Sequence, residues 1–431
     1  MESTIETIQN PDGNIQRFQI VTGFAWKDIK LAHAPFSGAY VGQLAQLYRV
    51  AIIPKAPEEC GHLVFFHVPE GMDTSAMPAT IGGVTYYDPN ANLAAWIESG
   101  DPESLRFLSQ LEKRGYVDTA DGKGGGVRPM PVSGRFGFVS DLKGHQLACN
   151  AHFFLMDTYD AQSPYDLFGT PYGMTVEGGR MVLPPLHHRP ALAVDKDGVH
   201  IIHPELKDVA MVIDGVTYRH GVNCTFYERP DTEQTPAAKG TALMVADGRV
   251  VASKQGGRVR VPMGGFVIQV PGHVSLMNPA VSCRTKNSYQ FALQVGPAMM
   301  VEGNMAAGFD GCPFCHYGKM SPFPPTVYPL SWETGRAGRM VLGNDQAGNP
   351  VLVWAEAAGA LGYEKGKESC GCSLSEMASF CQKLGLVNAI NLDGGGSSQI
   401  CYQGSRLLHL KDRTEENKEA ERPVPGILTI G

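Results

Sequence analysis

The chain is organised around the stretch Ala389-Ile390-Asn391-Leu392-Asp393-Gly394-Gly395-Gly396-Ser397-Ser398-Gln399-Ile400. The apolar run at 386–392 predicts a short buried strand, which ends at the carboxylate of Asp393. Because glycine has no Cβ, the glycines that follow allow positive φ and a close approach of the backbone to a ligand. Successive N–H groups in such a turn can form an anion-binding nest. The stretch therefore predicts a carboxylate held beside an anion cradle made by Gly394, Gly395, Gly396, Ser397 and Ser398.

A structural interpretation of the same stretch stays open. A glycine-rich turn after a strand is more often a hairpin or a bulge than a binding site. The glycine spacing does not match the dinucleotide-binding fingerprint, and no Lys-Ser/Thr pair follows that would indicate a P-loop. The spacing alone does not decide between a site and a turn.

Composition indicates a folded globular protein without nucleic-acid or membrane partners. The chain has 431 residues, of which 43% are hydrophobic and 18% charged, which is enough apolar material for a large core. Its 51 glycines and 30 prolines favour many turns and a β-rich architecture. A formal net charge of −7 provides no basic footprint for nucleic acid. No apolar run is long enough to predict a transmembrane helix, and the oligomeric state is left open.

The N-terminus and the cysteines provide information about the cellular compartment in which the protein works. Residues 1–6 are polar and acidic and lack the pattern of a secretory signal, which predicts a cytoplasmic protein, or a secreted one whose signal had been removed. The ten cysteines are spread over a long chain, so reduced thiols are expected. Zinc bound by Cys312, Cys315, Cys370 and Cys372 is the less favoured alternative.

The pattern of strands and helices predicts an α/β (α+β) fold with a mixed, mostly antiparallel β-sheet core and a few packed helices. Asp-Gly and similar turns predict hairpins over 190–202, 243–251 and 339–354. A capping box, Ser373 to Glu376, opens a helix that Gly385 ends. We expect a β-rich N-terminal region of unknown role at 1–144, a main domain at 145–431, and an irregular insertion near 304–333.

The C-terminal part of the chain resembles the phosphodiester glycosidase family. The helix–strand–Asp-Gly-Gly-Gly-Ser-Ser element at 374–398 is the most specific part of the match. Weaker elements follow the family's order, at Asn150–Phe154, Gly296-Pro297 with Val301–Gly303, Arg339–Gly343 and Arg422–Pro425. The similarity covers about 145–431, with departures at His152, Met340 and Gly426.

The resemblance implies a hydrolase that cleaves a sugar from a sugar-1-phosphodiester, whether a small molecule or a glycan. An oxocarbenium-like sugar centre needs a carboxylate, for which we predict Asp393. Asn150 and Arg339 are the other predicted catalytic residues, and His152, Arg422 and the residues of the 394–398 turn are predicted to bind substrate. Glu177 and Glu302 are the candidates for a second carboxylate.

Two other interpretations remain from the sequence. The first is a non-catalytic binder of phosphorylated sugars or nucleotides that uses the same glycine-rich cradle. The second is a metal or redox protein centred on Cys312 and Cys315. No cofactor is required by the motifs, although the resemblance and the Asp/Asn-rich turns are compatible with a divalent cation such as calcium.

Overall fold

The computed structural model describes residues 1–32, the short segments 68–69, 80–81, 84–85 and 131–132, and residues 136–431 except 156–162, 164, 168, 230, 307–334, 359–362 and 413–417. In chain order the first strands are β1 Glu2–Gln9, β2 Ile15–Thr22, β3 Ile29–Ala32, β4 Val68–Pro69, β5 Thr80–Ile81, β6 Val84–Thr85, β7 Pro131–Val132, β8 Phe136–Gly137, β9 Leu147–Asn150, β10 Thr175–Glu177, β11 Arg180–Leu183, β12 Ala191–Asp195, β13 Gly198–Ile202, β14 Ala210–Ile213 and β15 Val216–Tyr218. They are followed by β16 Thr225–Glu228, β17 Ala238–Ala246, β18 Arg249–Gly257, β19 Gly265–Val270, β20 Val281–Arg284, β21 Phe291–Gln294, β22 Ala298–Val301, β23 Asn304–Met305, β24 Arg339–Asn344, β25 Pro350–Ala355, β26 Asn388–Asn391, β27 Ile400–Tyr402, β28 Val424–Pro425 and β29 Ile427–Ile430. The α-helix α1 spans Leu374–Lys383, and 3-10 turns span Trp26–Asp28, Val139–Asp141, Leu206–Asp208 and Gly395–Ser397.

Antiparallel β-structure dominates the described residues, so the predicted α/β (α+β) fold class, a mixed sheet core with a few packed helices, is wrong. The α-helices of the described part are limited to α1. The strand pairs there are antiparallel, except β4 with β7. Tight hairpins join β12 to β13, β17 to β18 and β24 to β25, as the sequence predicted. Antiparallel neighbours connected in this way need no crossover helices, which agrees with the single α-helix of the described residues.

The central strands of the largest sheet, β24, β25 and β26, are buried on both faces. The strand order of this sheet is β1-β2-β25-β24-β26-β22-β23. Successive side chains of a strand point to opposite faces. Leu342 and Trp354 accordingly enter one core, whereas Val341 and Val353 pack on the face that α1 covers. Strands buried on both faces produce continuous apolar runs, which are also typical of α/β proteins, and this similarity accounts for the incorrect fold class.

Helix α1 confirms the predicted capping box. The Ser373 hydroxyl accepts a hydrogen bond from the N–H of Glu376 (3.2 Å), and the Glu376 carboxylate accepts one from the N–H of Ser373 (3.0 Å). The ring of Phe380 stacks on that of Phe18, with 3.8 Å between their centroids. The helix therefore packs firmly against the sheet, and the chain continues from it directly into β26.

A second sheet lies across the core from the first. It has four strands in the order β27-β9-β29-β3. Leu147, Leu428 and Ile430 from this sheet share one core with Leu342 and Ile390 of the seven-stranded sheet. Because β26 belongs to one sheet and β27 to the other, the segment 392–399 crosses between the sheets. Asp393 and the glycine-rich turn lie on this crossing.

The remaining sheets form a second hydrophobic core. Three-stranded β15-β14-β20 and four-stranded β16-β19-β17-β18 enclose residues such as Met211, Leu243 and Phe266. The five-stranded sheet β11-β10-β21-β12-β13 contributes to both cores: Leu192 faces the first, and Ala193 the second. No helical segment of the described part has the length and apolarity that crossing a membrane requires.

The first 32 residues complete sheets whose other strands come from far along the chain. β2 pairs with β25, and β3 pairs with β29. The boundary between 1–144 and 145–431 stays a prediction. The expected insertion at 304–333 begins with β23, and its residues from 307 onward lie outside the described residues.

Candidate functional site

Asp393 is a buried carboxylate fixed by its own backbone. Its side chain is 8% exposed. Its N–H donates to the carbonyl of Ala151 (3.0 Å), which ties the end of β26 to the segment after β9. One carboxylate oxygen accepts a hydrogen bond from the N–H of Gly394 (2.8 Å). The carboxyl group is therefore held at a defined position where the two main sheets meet.

Burial changes the acidity of Asp393. It raises the pKa of the carboxyl to about 6. Hydrogen bonds from Ser397 and from the Gly394 N–H, together with the charges of Arg422 and Arg189, oppose a larger rise. The group is thus mostly ionised at neutral pH and protonated in mildly acidic solution.

The glycines of the turn are required mainly by close packing. Gly395 has φ of +62° and begins a 3-10 turn. A Cβ on Gly394 would lie 2.7 Å from the carbonyl oxygen of Gly338, and one on Gly396 would lie 2.1 Å from the carboxylate of Asp412. Gly394, Gly395, Ser397 and Ser398 all donate their N–H groups to protein oxygens. Of the five residues predicted to form the anion cradle, Gly396 alone has no N–H acceptor among the described residues.

Arg422 is held in place by a carboxylate that the sequence did not single out. Its Nε and Nη2 donate to the two oxygens of Asp412, at 2.8 and 3.1 Å. Its Nη1 lies 3.4 Å from the hydroxyl of Ser397, which itself bonds to Asp393. This two-point pairing fixes the guanidinium plane and links it through Ser397 to Asp393.

Three further cations surround this arrangement. Arg339 is 2% exposed and donates to the carbonyls of Cys372 (3.1 Å) and Gly335 (2.9 Å). Burial lowers its pKa to about 10, so it stays charged at neutral pH. Arg189 donates to the carbonyl of Gly296 (3.1 Å) and acts electrostatically on Asp393. Burial lowers the pKa of Lys411, with Arg422 and Arg339 contributing and Asp412 opposing.

Asn150 bridges the two ends of the turn. Its amide nitrogen donates to the carbonyl of Asp393 (2.7 Å), and its amide oxygen accepts from the N–H of Gln399 (3.0 Å). The side chain is 1% exposed. A buried amide with both ends bonded to backbone is suited to bracing the turn. The catalytic role predicted for Asn150 stays a prediction, and the contacts favour positioning of Asp393.

His152 and Ser398 are both buried. A ring nitrogen of His152 is 2.7 Å from the hydroxyl of Thr175, and the ring is fully enclosed. A Cβ at Gly426 would come within 3.1 Å of the other ring nitrogen, which explains why this position holds glycine. The buried hydroxyl of Ser398 has no hydrogen-bond partner in the part of the chain that the structure describes. The substrate-binding roles of both residues stay predictions.

The two sequence candidates for a second carboxylate are not gathered at the turn. Glu302 is exposed in the turn between β22 and β23, where the neighbouring Gly303 bonds to Val387, before the start of β26. Asp393 follows the other end of the same strand. Glu177 ends β10 and pairs with Arg180 in a hairpin. The carboxylate that does approach the turn is that of Asp412, at the start of the charged stretch 411–422.

The predicted zinc cysteines are only partly described. Cys370 and Cys372 are free thiols, and burial raises the pKa of both. Neither belongs to a group of potential metal ligands within the described residues. Cys312 and Cys315 lie outside those residues, so zinc at the four cysteines stays a prediction.

Comparison with known proteins places the chain in a family. The family model "Phosphodiester glycosidase" matches residues 143–430. The chain therefore belongs to the phosphodiester glycosidase family, which confirms the resemblance seen in the sequence.

The similarity to individual proteins is limited to short segments or to low sequence identity. The human and bovine N-acetylglucosamine-1-phosphodiester alpha-N-acetylglucosaminidases are 36% and 35% identical over 81 residues, which is 19% of this chain and 14% of each relative. The chain thus matches only a small part of the length of these relatives. Among solved structures, a putative exported protein from Burkholderia pseudomallei K96243 has 16% identity and a TM-score of 0.43, over 100% of this chain and 96% of that one. A hypothetical protein from Synechocystis has 16% identity and a TM-score of 0.42, over 99% and 62%. Structural scores this low carry no argument about function.

Proposed function

We propose that the protein hydrolyses the glycosidic bond of a sugar-1-phosphodiester, with Asp393 as the carboxylate that acts at the sugar. The observation that carries the proposal is the buried Asp393 carboxylate, joined through Ser397 to the fixed guanidinium of Arg422. A negative group for the sugar centre and a positive group for the phosphate are what this substrate requires.

Asp393 would act on the anomeric carbon. That carbon gains positive charge as the bond to the bridging phosphate oxygen breaks, and a nearby carboxylate stabilises or attacks it. The electron pair of the broken bond goes to the bridging oxygen, so a phosphate monoester leaves. Water then supplies the hydroxyl of the released sugar, and its remaining proton goes to solvent.

The departing phosphate would be stabilised by charge rather than by a strong acid. Both oxygens of Asp412 already accept hydrogen bonds from Arg422, so this carboxylate is engaged in holding the guanidinium. Arg422, Lys411 and Arg339 lie close enough to interact electrostatically, so the surroundings of the turn are positively charged. Fixed cations in a site with little water stabilise a developing phosphate charge effectively.

The other predicted residues would support these two groups. Asn150 would hold the carbonyl of Asp393 and the N–H of Gln399, and so keep the turn in its shape. Ser398 and the N–H of Gly396 would donate hydrogen bonds to substrate oxygens, and His152 would orient sugar hydroxyls. The substrate would be a small-molecule or glycan phosphodiester, and a cytoplasmic location remains part of the proposal.

The test is hydrolysis of a panel of sugar-1-phosphodiesters, including N-acetylglucosamine-1-phosphodiesters and UDP-sugars, by the wild type, Asp393→Asn and Glu302→Gln. We expect Asp393→Asn to lose on the order of 10³-fold or more in kcat/KM, because the reacting carboxylate is gone. Glu302→Gln is the matched control, because it neutralises the carboxylate beyond the other end of β26, and its activity should equal that of the wild type.

Two outcomes would contradict the proposal. An active Asp393→Asn enzyme would remove Asp393 from the mechanism. Failure of the wild type to release sugar from any panel member, together with ligand-dependent thermal stabilisation, would instead favour a non-catalytic binder of phosphorylated sugars or nucleotides.

A further inference from the structure

Three potential metal ligands converge outside the Asp393 site. His188 lies in the turn before β12, Glu228 ends β16, and Asp231 follows in the next turn. One ligand atom from each residue lies within 4.8 Å of the ligand atoms of the other two. A ring nitrogen of His188 is 3.0 Å from a carboxylate oxygen of Asp231. A single ion can therefore contact all three side chains after small adjustments.

Among the described residues, no cation forms an ion pair with Glu228, the buried member of the group. Glu228 is 7% exposed, and its one hydrogen bond within the described residues comes from the N–H of His187 (3.1 Å). Lys207 influences this carboxylate electrostatically but is ion-paired with Glu205. A buried carboxylate is costly unless it is paired or coordinates a metal. Glu228 therefore points to a positive ligand that completes its surroundings.

The backbone brings His188 to this carboxylate. His187 and His188 both have positive φ, at 64° and 50°, which is uncommon for residues with a side chain. The N–H of His187 is bonded to Glu228, and the His187 ring bonds to the carbonyl of Met263 (2.7 Å). The turn is thus anchored on both sides, and His188 is presented towards Asp231.

We propose that His188, Glu228 and Asp231 bind one divalent transition-metal ion, with zinc as the expected occupant. One imidazole nitrogen and two carboxylates are a ligand set that zinc accepts, with water in the fourth position. Calcium prefers oxygen ligands throughout, so the imidazole disfavours it. The ion would take the place of the hydrogen bond between His188 and Asp231 and would neutralise Glu228.

The location of the site, rather than its water-filled fourth position, indicates that the ion would hold the backbone in place. His188 directly precedes Arg189, whose guanidinium donates to the carbonyl of Gly296 and acts on Asp393. The metal would therefore hold the turn that carries Arg189, while its three ligands lie outside the contacts described for Asp393. Metal binding can therefore be measured by metal affinity and by the melting temperature, without an assay of glycosidase activity.

The experiment uses the full chain after treatment with a chelator. Zinc is titrated in competition with a chromophoric chelator, and the melting temperature is followed with and without zinc. We expect one zinc per chain and a higher melting temperature with zinc. His188→Ala and Asp231→Asn should each weaken binding by more than about tenfold, since even second-layer changes cost that much at metal sites.

Two controls separate this site from others in the chain. His200→Ala and Asp195→Asn alter a pair in which the ring nitrogen is 3.3 Å from the carboxylate, but which has no third ligand among the described residues. Both should bind zinc as the wild type does. Titration with Co²⁺ reports the ligand type, because thiolate coordination produces a charge-transfer band that nitrogen and oxygen ligands lack.

Several results would overturn the proposal. These are no binding of zinc, equal affinity in the wild type, His188→Ala and Asp231→Asn, or an equal loss in the His200→Ala control. A Co²⁺ complex dominated by thiolate absorption and unaffected by His188→Ala would assign the metal to cysteines instead. Asp231 is exposed, so its replacement leaves the core intact and keeps the test valid if another variant fails to fold.

Discussion

The two ends of β26 differ sharply although one strand connects them. Beyond one end, Asp393 is buried, its pKa is raised to about 6, and a paired arginine lies nearby. At the other end, Glu302 is exposed in a hairpin turn, and its N–H bonds to the side chain of Asn388. Both carboxylates were site candidates from the sequence. Both residues are acids followed by a glycine, so that local pattern does not account for the difference. Asp393 is buried and hydrogen-bonded because it lies where the chain crosses from one sheet to the other.

The largest effect after loss of Asp393 itself is expected at Arg422. Arg422→Ala should lower kcat/KM by about 10²- to 10³-fold, because one preorganised cation for the departing phosphate is removed. Arg422→Lys should also be impaired, since an ammonium cannot reproduce the two-point contact with Asp412. Steady-state hydrolysis of the best panel substrate measures both.

A double variant separates catalysis from folding at this position. Arg422→Ala leaves Asp412 without its partner, which lowers stability in a largely buried setting. Arg422→Ala/Asp412→Asn removes that charge and should recover much of the melting temperature without recovering activity. If the double variant regained activity together with stability, Arg422 would be needed only to stabilise the fold and not for catalysis.

Matched glycine substitutions test the same contrast. Gly396→Ala should lower stability by about 1–3 kcal/mol through overpacking and reduce activity, because its Cβ would meet Asp412 and Arg422 at 2.1 and 2.4 Å. Gly303→Ala has open space around the Cβ and only a positive φ of 80°, so we expect a cost of about 1 kcal/mol and no change in activity. Denaturant unfolding and turnover measure the two effects. Equal activities in the two variants would contradict the inference that the site lies at the Asp393 end of β26 and not at the Glu302 end.

A further contrast between the two ends concerns how the stability of the folded state depends on pH. The pKa of Asp393 is raised from 3.8 to about 6, so the folded state binds this proton more tightly than the unfolded state. The stability that this proton contributes is complete below about pH 4 and is lost as the pH rises through 6, a loss of roughly 3 kcal/mol at most. Asp393→Asn should therefore melt at a higher temperature than the wild type at pH 7 and at a similar temperature at pH 4.

Glu302→Gln provides the control for this prediction. Because Glu302 is exposed, its replacement should change the melting temperature little at either pH. In the wild type, kcat/KM should rise with pH through about 6, because only ionised Asp393 acts at the sugar. An Asp393→Asn protein that is less stable than the wild type at pH 7 would contradict the assignment of a buried charge.

The sequence by itself determined the local elements and the family. Hairpins, the capped helix α1 and the strand leading to Asp393 follow from turn residues, capping residues and apolar runs, which act over a few positions. The Asp-Gly-Gly-Gly-Ser-Ser motif identified the family. Local patterns do not state which faces of a strand are covered, and for that reason the fold class was predicted incorrectly.

Only the tertiary structure decided which residues meet at the site. Asn150 contacts Asp393 across 243 positions of sequence, and Arg189 acts on the same carboxylate from the segment before β12. A run of charges such as 411–422 usually faces water, yet the pairing of Asp412 with Arg422 next to Gly396 brings its carboxylate to the turn. Such contacts arise from the closure of sheets between distant strands, and no local spacing encodes them.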